Sequence, residues 1–136
     1  MGKQANLNSE GMRIESANDS IVIRKYGAGI VGGRTLDMTG FPADQKCIRA
    51  GHVVIRNTKD ETDYKPMPVA EDGKKYAALP SNYEYAGVVV ATKPVDYPLV
   101  GIMYDGEVND VASPYPVDEI KAAMKTALPG LVFMHD

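Results

Sequence analysis

Cys47-Ile48-Arg49-Ala50-Gly51-His52-Val53-Val54-Ile55-Arg56 is the stretch that decides the fold. Its β-branched residues crowd around a single glycine and then give way to Asn57-Thr58-Lys59-Asp60, a run of turn formers, which is how a strand closing in a turn reads. The pattern recurs down the chain in Tyr64 to Val69, Tyr85 to Thr92 and Leu99 to Val108. Between these runs lie Glu71-Asp72-Gly73, Pro80-Ser81-Asn82 and the segment from Lys93 to Pro98. Short strands interrupted this regularly predict a mainly β fold, a β-rich α+β chain with a small barrel-like or sandwich-like body.

One segment reads as a helix. From Pro116 to Leu128, the proline suits a first turn, Asp118 and Glu119 suit the positive end of the helix dipole, and Lys121 and Lys125 lie further along. Val117, Ile120, Met124, Ala127 and Leu128 fall on one face, a stripe to be laid on the sheet. Pro129-Gly130 stops the helix, and Leu131 to Met134 supplies a last strand.

Upstream of the β pattern the chain changes character. Met1 to Ser20 is rich in Asn, Ser and Gly, and its apolar residues Leu7, Met12 and Ile14 follow neither a helical nor an alternating period. Ile21-Val22-Ile23-Arg24-Lys25-Tyr26 then reads as a strand, followed by glycine-dense Gly27 to Gly33. Residues 1–33 are therefore expected to form an extended arm, and residues 34–136 a single β-rich domain.

Length and composition narrow the function classes. With 136 residues, 44% of them hydrophobic and 24% charged, the chain suits one globular domain and neither wholesale disorder nor a collagen-like repeat. The longest apolar runs fall well short of the roughly 20 residues that span a bilayer, and Met1 to Glu10 lacks the apolar core of a signal peptide. No membrane association is expected, and the protein is expected to be made in the cytoplasm. The net charge of −3 argues against a general nucleic-acid binder. It is also uneven: Lys3, Arg13, Arg24, Lys25 and Arg34 outweigh Glu10, Glu15 and Asp19, so a basic arm precedes an acidic body.

Catalytic motifs are few and incomplete. Gly27-Ala28-Gly29-Ile30-Val31-Gly32 satisfies GxGxxG after a strand, but Gly40 and Pro42 break what should be the dinucleotide-binding helix. His52 lies inside a strand-like run and His135 is penultimate, and no spacing ties either to Ser81, Ser113 or Cys47 as a nucleophile. Cys47 alone makes neither a disulfide nor a zinc site, and reads as a small buried hydrophobe. The carboxylates Asp60, Glu61 and Asp63, and Asp105, Glu107 and Asp110, lack the spacing of a calcium loop and read as solvated turns. Seven tyrosines from Tyr64 to Tyr115 suit a half-buried β surface or, exposed, a sugar-stacking one. No catalytic residue, metal or cofactor is assigned, and the protein is expected not to be an enzyme.

Three elements together resemble the small head-decoration and head-fibre proteins of tailed bacteriophages, particularly those of phages infecting gut Bacteroidetes. They are Ile48 to Ile55 with its Ala-Gly pair, Tyr85-Ala86-Gly87-Val88-Val89-Val90, and Leu99 to Val108 with its Gly106-Glu107-Val108 ending. Tyr64-Lys65-Pro66-Met67-Pro68-Val69 and Ala112-Ser113-Pro114-Tyr115-Pro116 add to the likeness. The resemblance spans roughly Gly33 onward. It implies a structural virion protein on the outer capsid surface that stabilises the shell, with the major capsid protein as partner, a homotrimer matched to a local three-fold axis, and no nucleic acid. The arm is then the anchoring part, with Arg13, Ile21, Val22, Ile23, Arg24 and Lys25 as its capsid-binding residues and strand addition as its mode. The alternatives are a surface-displayed carbohydrate-binding module using exposed tyrosines and carboxylates, or a small enzyme.

Overall fold

Val53, Val54 and Ile55 are all fully buried, although successive side chains of a strand point to opposite faces. A sheet with such a strand at its centre must be covered on both sides, and the rest of the chain supplies two covers. The computed structural model describes residues 16–135 and is mainly β, 37% strand against 9% helix. Its elements are α1 (Asp19–Val22), β1 (Ile23–Gly29), β2 (Arg34–Thr35), β3 (Cys47–Ile48), β4 (Val53–Asn57), β5 (Tyr64–Pro66), β6 (Tyr83–Val89), β7 (Lys93–Pro94), β8 (Leu99–Val100), β9 (Ile102–Asn109), α2 (Lys121–Ala127) and β10 (Leu131–Met134).

A six-stranded sheet runs β1-β9-β6-β4-β5, with β10 added to β9. The eight residues of β9 serve three neighbours. One side carries antiparallel β1, from Gly29 opposite Met103 to Ile23 opposite Val108. On the other side Ile102 and Met103 pair with β6, and Gly106 to Asn109 pair in parallel with β10. Two short antiparallel ribbons, β2-β8 and β3-β7, lie outside this sheet.

Val53, Ile55, Val88, Met103 and Val108 project into one apolar layer with Val117, Met124 and Leu131. Val54, Ala86, Val89 and Ile102 project into the other with Leu36, Ile48 and Val100, contributed by the ribbons and their flanks. Seven-residue α2 is too short to persist alone, so its Met124, buried against the sheet, holds it in place.

Several boundaries differ from the sequence expectation. The strand-like Ile48–Arg56 run is split into β3 and β4 by a turn at Arg49 to His52, where Gly51 takes a φ of 90°. A Cβ built on Gly51 would sit 2.5 Å from Cγ1 of Val22, so the glycine is needed both for its backbone and for the space above it. The helix expected from Pro116 begins at Lys121, after a turn in which Ile120 N–H reaches the Val117 carbonyl, and Ala127 of the expected stripe is exposed.

The largest correction concerns the arm. Ile21 and Val22, expected in a strand, belong to the helical turn α1, and the strand starts at Ile23. From Asp19 to Gly29 the chain is built into the body through α1 and β1, so an arm reaching residue 33 and a domain starting at residue 34 misplace the boundary. The cause is long-range: Val22 is buried over Gly51, and β1 finds its partner in β9. Nor does the GxGxxG match open a helix. Gly27 to Gly29 end β1, a turn at Val31-Gly32 follows, and β2 comes next.

Candidate functional site

Asp19 fastens α1 to the body. Its carboxylate accepts the Thr92 amide at 2.8 Å and the Thr92 hydroxyl at 2.7 Å, while the same hydroxyl oxygen accepts the buried Ala50 N–H at 3.1 Å. The Thr92 side chain, just before β7, thus ties α1 to the turn before β4. Beside this junction opens a cleft of about 510 Å³, within the size range of ligand pockets, lined among others by Asn18, Asp19, Phe41, Arg49, His52 and Tyr115.

His52 is fully buried beneath that cleft, and its Nε2 lies 3.0 Å from the Met67 carbonyl oxygen. A carbonyl only accepts, so Nε2 carries the proton and Nδ1 the lone pair. Burial pushes the imidazole pKa down to about 4 from an ordinary 6.5, with the Met67 hydrogen bond opposing it, and the ring is neutral at physiological pH. Its faces and edges meet Phe41, Tyr76 and Tyr115, with centroids 5.3 to 5.8 Å apart. The Tyr76 hydroxyl oxygen accepts the Val53 N–H, and burial raises its pKa above the usual phenol range. The cluster is uncharged at physiological pH, and among the described residues no buried side-chain polar atom is left without a hydrogen-bond partner.

A second polar knot joins Asp110, Lys121 and His135. Lys121 Nζ lies 2.7 Å from one Asp110 oxygen and His135 Nδ1 2.8 Å from the other, so the turn after β9 is tied to α2 and to the end of β10. The Lys121 ammonium, with help from His135, holds the Asp110 carboxyl down to about 2. Ser113 instead donates to the Asn109 carbonyl, and the two histidines sit in separate clusters.

The remaining candidates disperse. Asp60 accepts from its own turn at Thr62, and Asp63 accepts from Tyr83 and Asn57. Among the described residues no group of three His, Cys, Asp or Glu side chains could hold a metal ion. Cys47 is buried in β3 and borders the cleft. Tyr64 lies under the guanidinium groups of Arg34 and Arg56, and Lys65 sits over Tyr83, whereas Tyr97 and Tyr104 are exposed.

Of the expected capsid-binding residues, Arg13 lies outside the described residues and Val22 is buried. Ile21, Arg24 and Lys25 are exposed, and Ile23 is half-buried. Among the described residues β1 is paired only with β9, and no strand among them lies on its other edge. Arg24, Lys25 and Tyr26 stand exposed along it, with Lys25 opposite Glu107. Past its end, Val31 is 93% exposed at the turn into the β2-β8 ribbon, on which Leu99 is also exposed. Comparison with protein families, with curated proteins and with solved structures finds no match to this chain.

Proposed function

We propose that this protein is a non-enzymatic structural component of a tailed-phage virion that binds the outer surface of the assembled capsid and stabilises it. The observation that carries the reading is the edge of β1 that pairs with no other strand among the described residues, with Arg24 and Lys25 exposed between Ile21 and Val31, exposed apolar residues at its two ends. Unpaired edge amides and carbonyls accept a further strand, so affinity comes from main-chain hydrogen bonds while the two cations select an acidic partner. The resemblance of the Ile48–Ile55, Tyr85–Val90 and Leu99–Val108 runs to decoration proteins supplies the partner, the major capsid protein.

As a homotrimer the protein presents three such edges to a three-fold site. Linked engagement raises apparent affinity through effective concentration, and a ligand that binds the shell but not its separated subunits stabilises the shell by mass action. The test is the ratio of this protein to the major shell subunit in gradient-purified virions. A copy number comparable to the shell subunit supports the proposal, and absence from virions ends it.

A further inference from the structure

We propose that the cleft beside α1 binds a small uncharged molecule of the phenol class, an aromatic ring bearing a hydroxyl, which donates its O–H to Nδ1 of His52. The imidazole is fully buried yet lines the cleft. Its Nε2–H is used by the Met67 carbonyl at 3.0 Å, which fixes the tautomer and leaves Nδ1 with a lone pair that only accepts. Among the described residues nothing donates to Nδ1, and no buried side-chain polar atom among them lacks a partner, so Nδ1 is the point at which the ring reaches the cleft. A lone pair placed there is completed by a donor that enters from the cleft.

The surroundings select the rest of the ligand. Phe41 and Tyr115, both half-buried, line the same cleft, and their ring centroids lie 5.8 and 5.6 Å from that of His52. A donor that reaches Nδ1 therefore arrives among aromatic rings, where a flat apolar body gains from burial and from edge or offset contact. Charge is disfavoured. An anion brings Nδ1 no proton, and Asp19, the one carboxylate among the described lining residues, has both oxygens held by Thr92, which leaves a cation no free counter-charge there. The exposed Asn18 and half-buried Gln45 add carboxamides, which donate and accept alike and suit a second polar substituent. A volume of about 510 Å³ has room for such a substituted ring.

The experiment titrates the full chain, with its histidines labelled with nitrogen-15, with phenol and separately with toluene, which has the same ring and a methyl group in place of the hydroxyl. Phenol is expected to bind about tenfold more tightly than toluene and to move the Nδ1 resonance of His52 upfield, as acceptance of a hydrogen bond does. In a His52→Phe variant, which keeps a ring but has no lone pair, the preference for phenol is expected to disappear. Equal affinity for the two probes, an unmoved Nδ1 resonance, or no binding of phenol overturns the inference, and these readouts on the unaltered protein decide it even where the variant does not fold. A variant that folds and still prefers phenol overturns it as well. No shell takes part in these measurements, so the capsid reading stands or falls separately.

Discussion

Acidification should destabilise this protein through His52. The side chain is fully buried, its pKa is about 4 in the folded state against 6.5 when freed, and the unfolded chain therefore binds a proton that the folded chain refuses throughout that window. Stability then falls as pH falls, beginning near 6.5 and levelling off near 4. Between about pH 7.5 and about pH 4.5 the two-state linkage gives a loss of roughly 2 to 3 kcal/mol, a large share of the 5 to 15 kcal/mol typical of a domain. The control is His52→Gln, whose side-chain amide can still donate to the Met67 carbonyl but does not titrate. Urea unfolding at both pH values should show the wild type losing about 2 to 3 kcal/mol more than the variant, even though the variant starts lower for want of its ring contacts. Equal losses in the two proteins, within about 0.5 kcal/mol, would refute the assignment of a neutral, proton-refusing imidazole.

Gly51→Ala should cost about 1 to 3 kcal/mol in urea unfolding, and adding Val22→Ala should recover the steric part but not the part due to the positive φ. Thr92→Val removes the hydroxyl that the buried Ala50 N–H donates to, and should destabilise by about 1 to 3 kcal/mol, measured the same way. Asp110→Asn should lower the melting temperature at neutral pH. Because the native carboxyl titrates near 2, below its ordinary 3.8, that penalty is present above pH 3.8 and should vanish as pH falls through 2. Arg24→Glu/Lys25→Glu should leave folding intact, since both side chains are exposed, while abolishing co-sedimentation with undecorated shells; undiminished co-sedimentation would remove the β1 edge from the binding surface.

The β character was legible because it rests on local signals. β-branched runs broken by turn residues place β4, β6 and β9, and Leu131 to Met134 was readable as a strand from the Pro-Gly stop before it. What sequence could not give was set by contacts distant in the chain. Ile21-Val22-Ile23 has strand propensity throughout, yet α1 takes the first two because Asp19 finds Thr92 and Val22 finds Gly51. Gly51 inside an apolar run was a usable sign of a bend, and here it divides β3 from β4. The His52 cluster joins residues from four separate segments, and the Asp110 knot joins a turn, a helix and the chain's end, so no spacing announces either. Ala127 is exposed at the last position of α2, where only Met124 is buried.

The pairing of β1 with β9 also sets a schedule for synthesis. β1 is among the first parts of the body to leave the ribosome, and its partner follows about 80 residues later. At about 5 to 20 residues per second, the nascent strand waits roughly 4 to 16 s for its partner. An apolar strand left waiting so long would invite pairing with neighbouring chains. Arg24 and Lys25 would repel the same basic strand of a neighbouring nascent chain, so the cations proposed to select an acidic partner for the finished protein also keep unfinished copies apart.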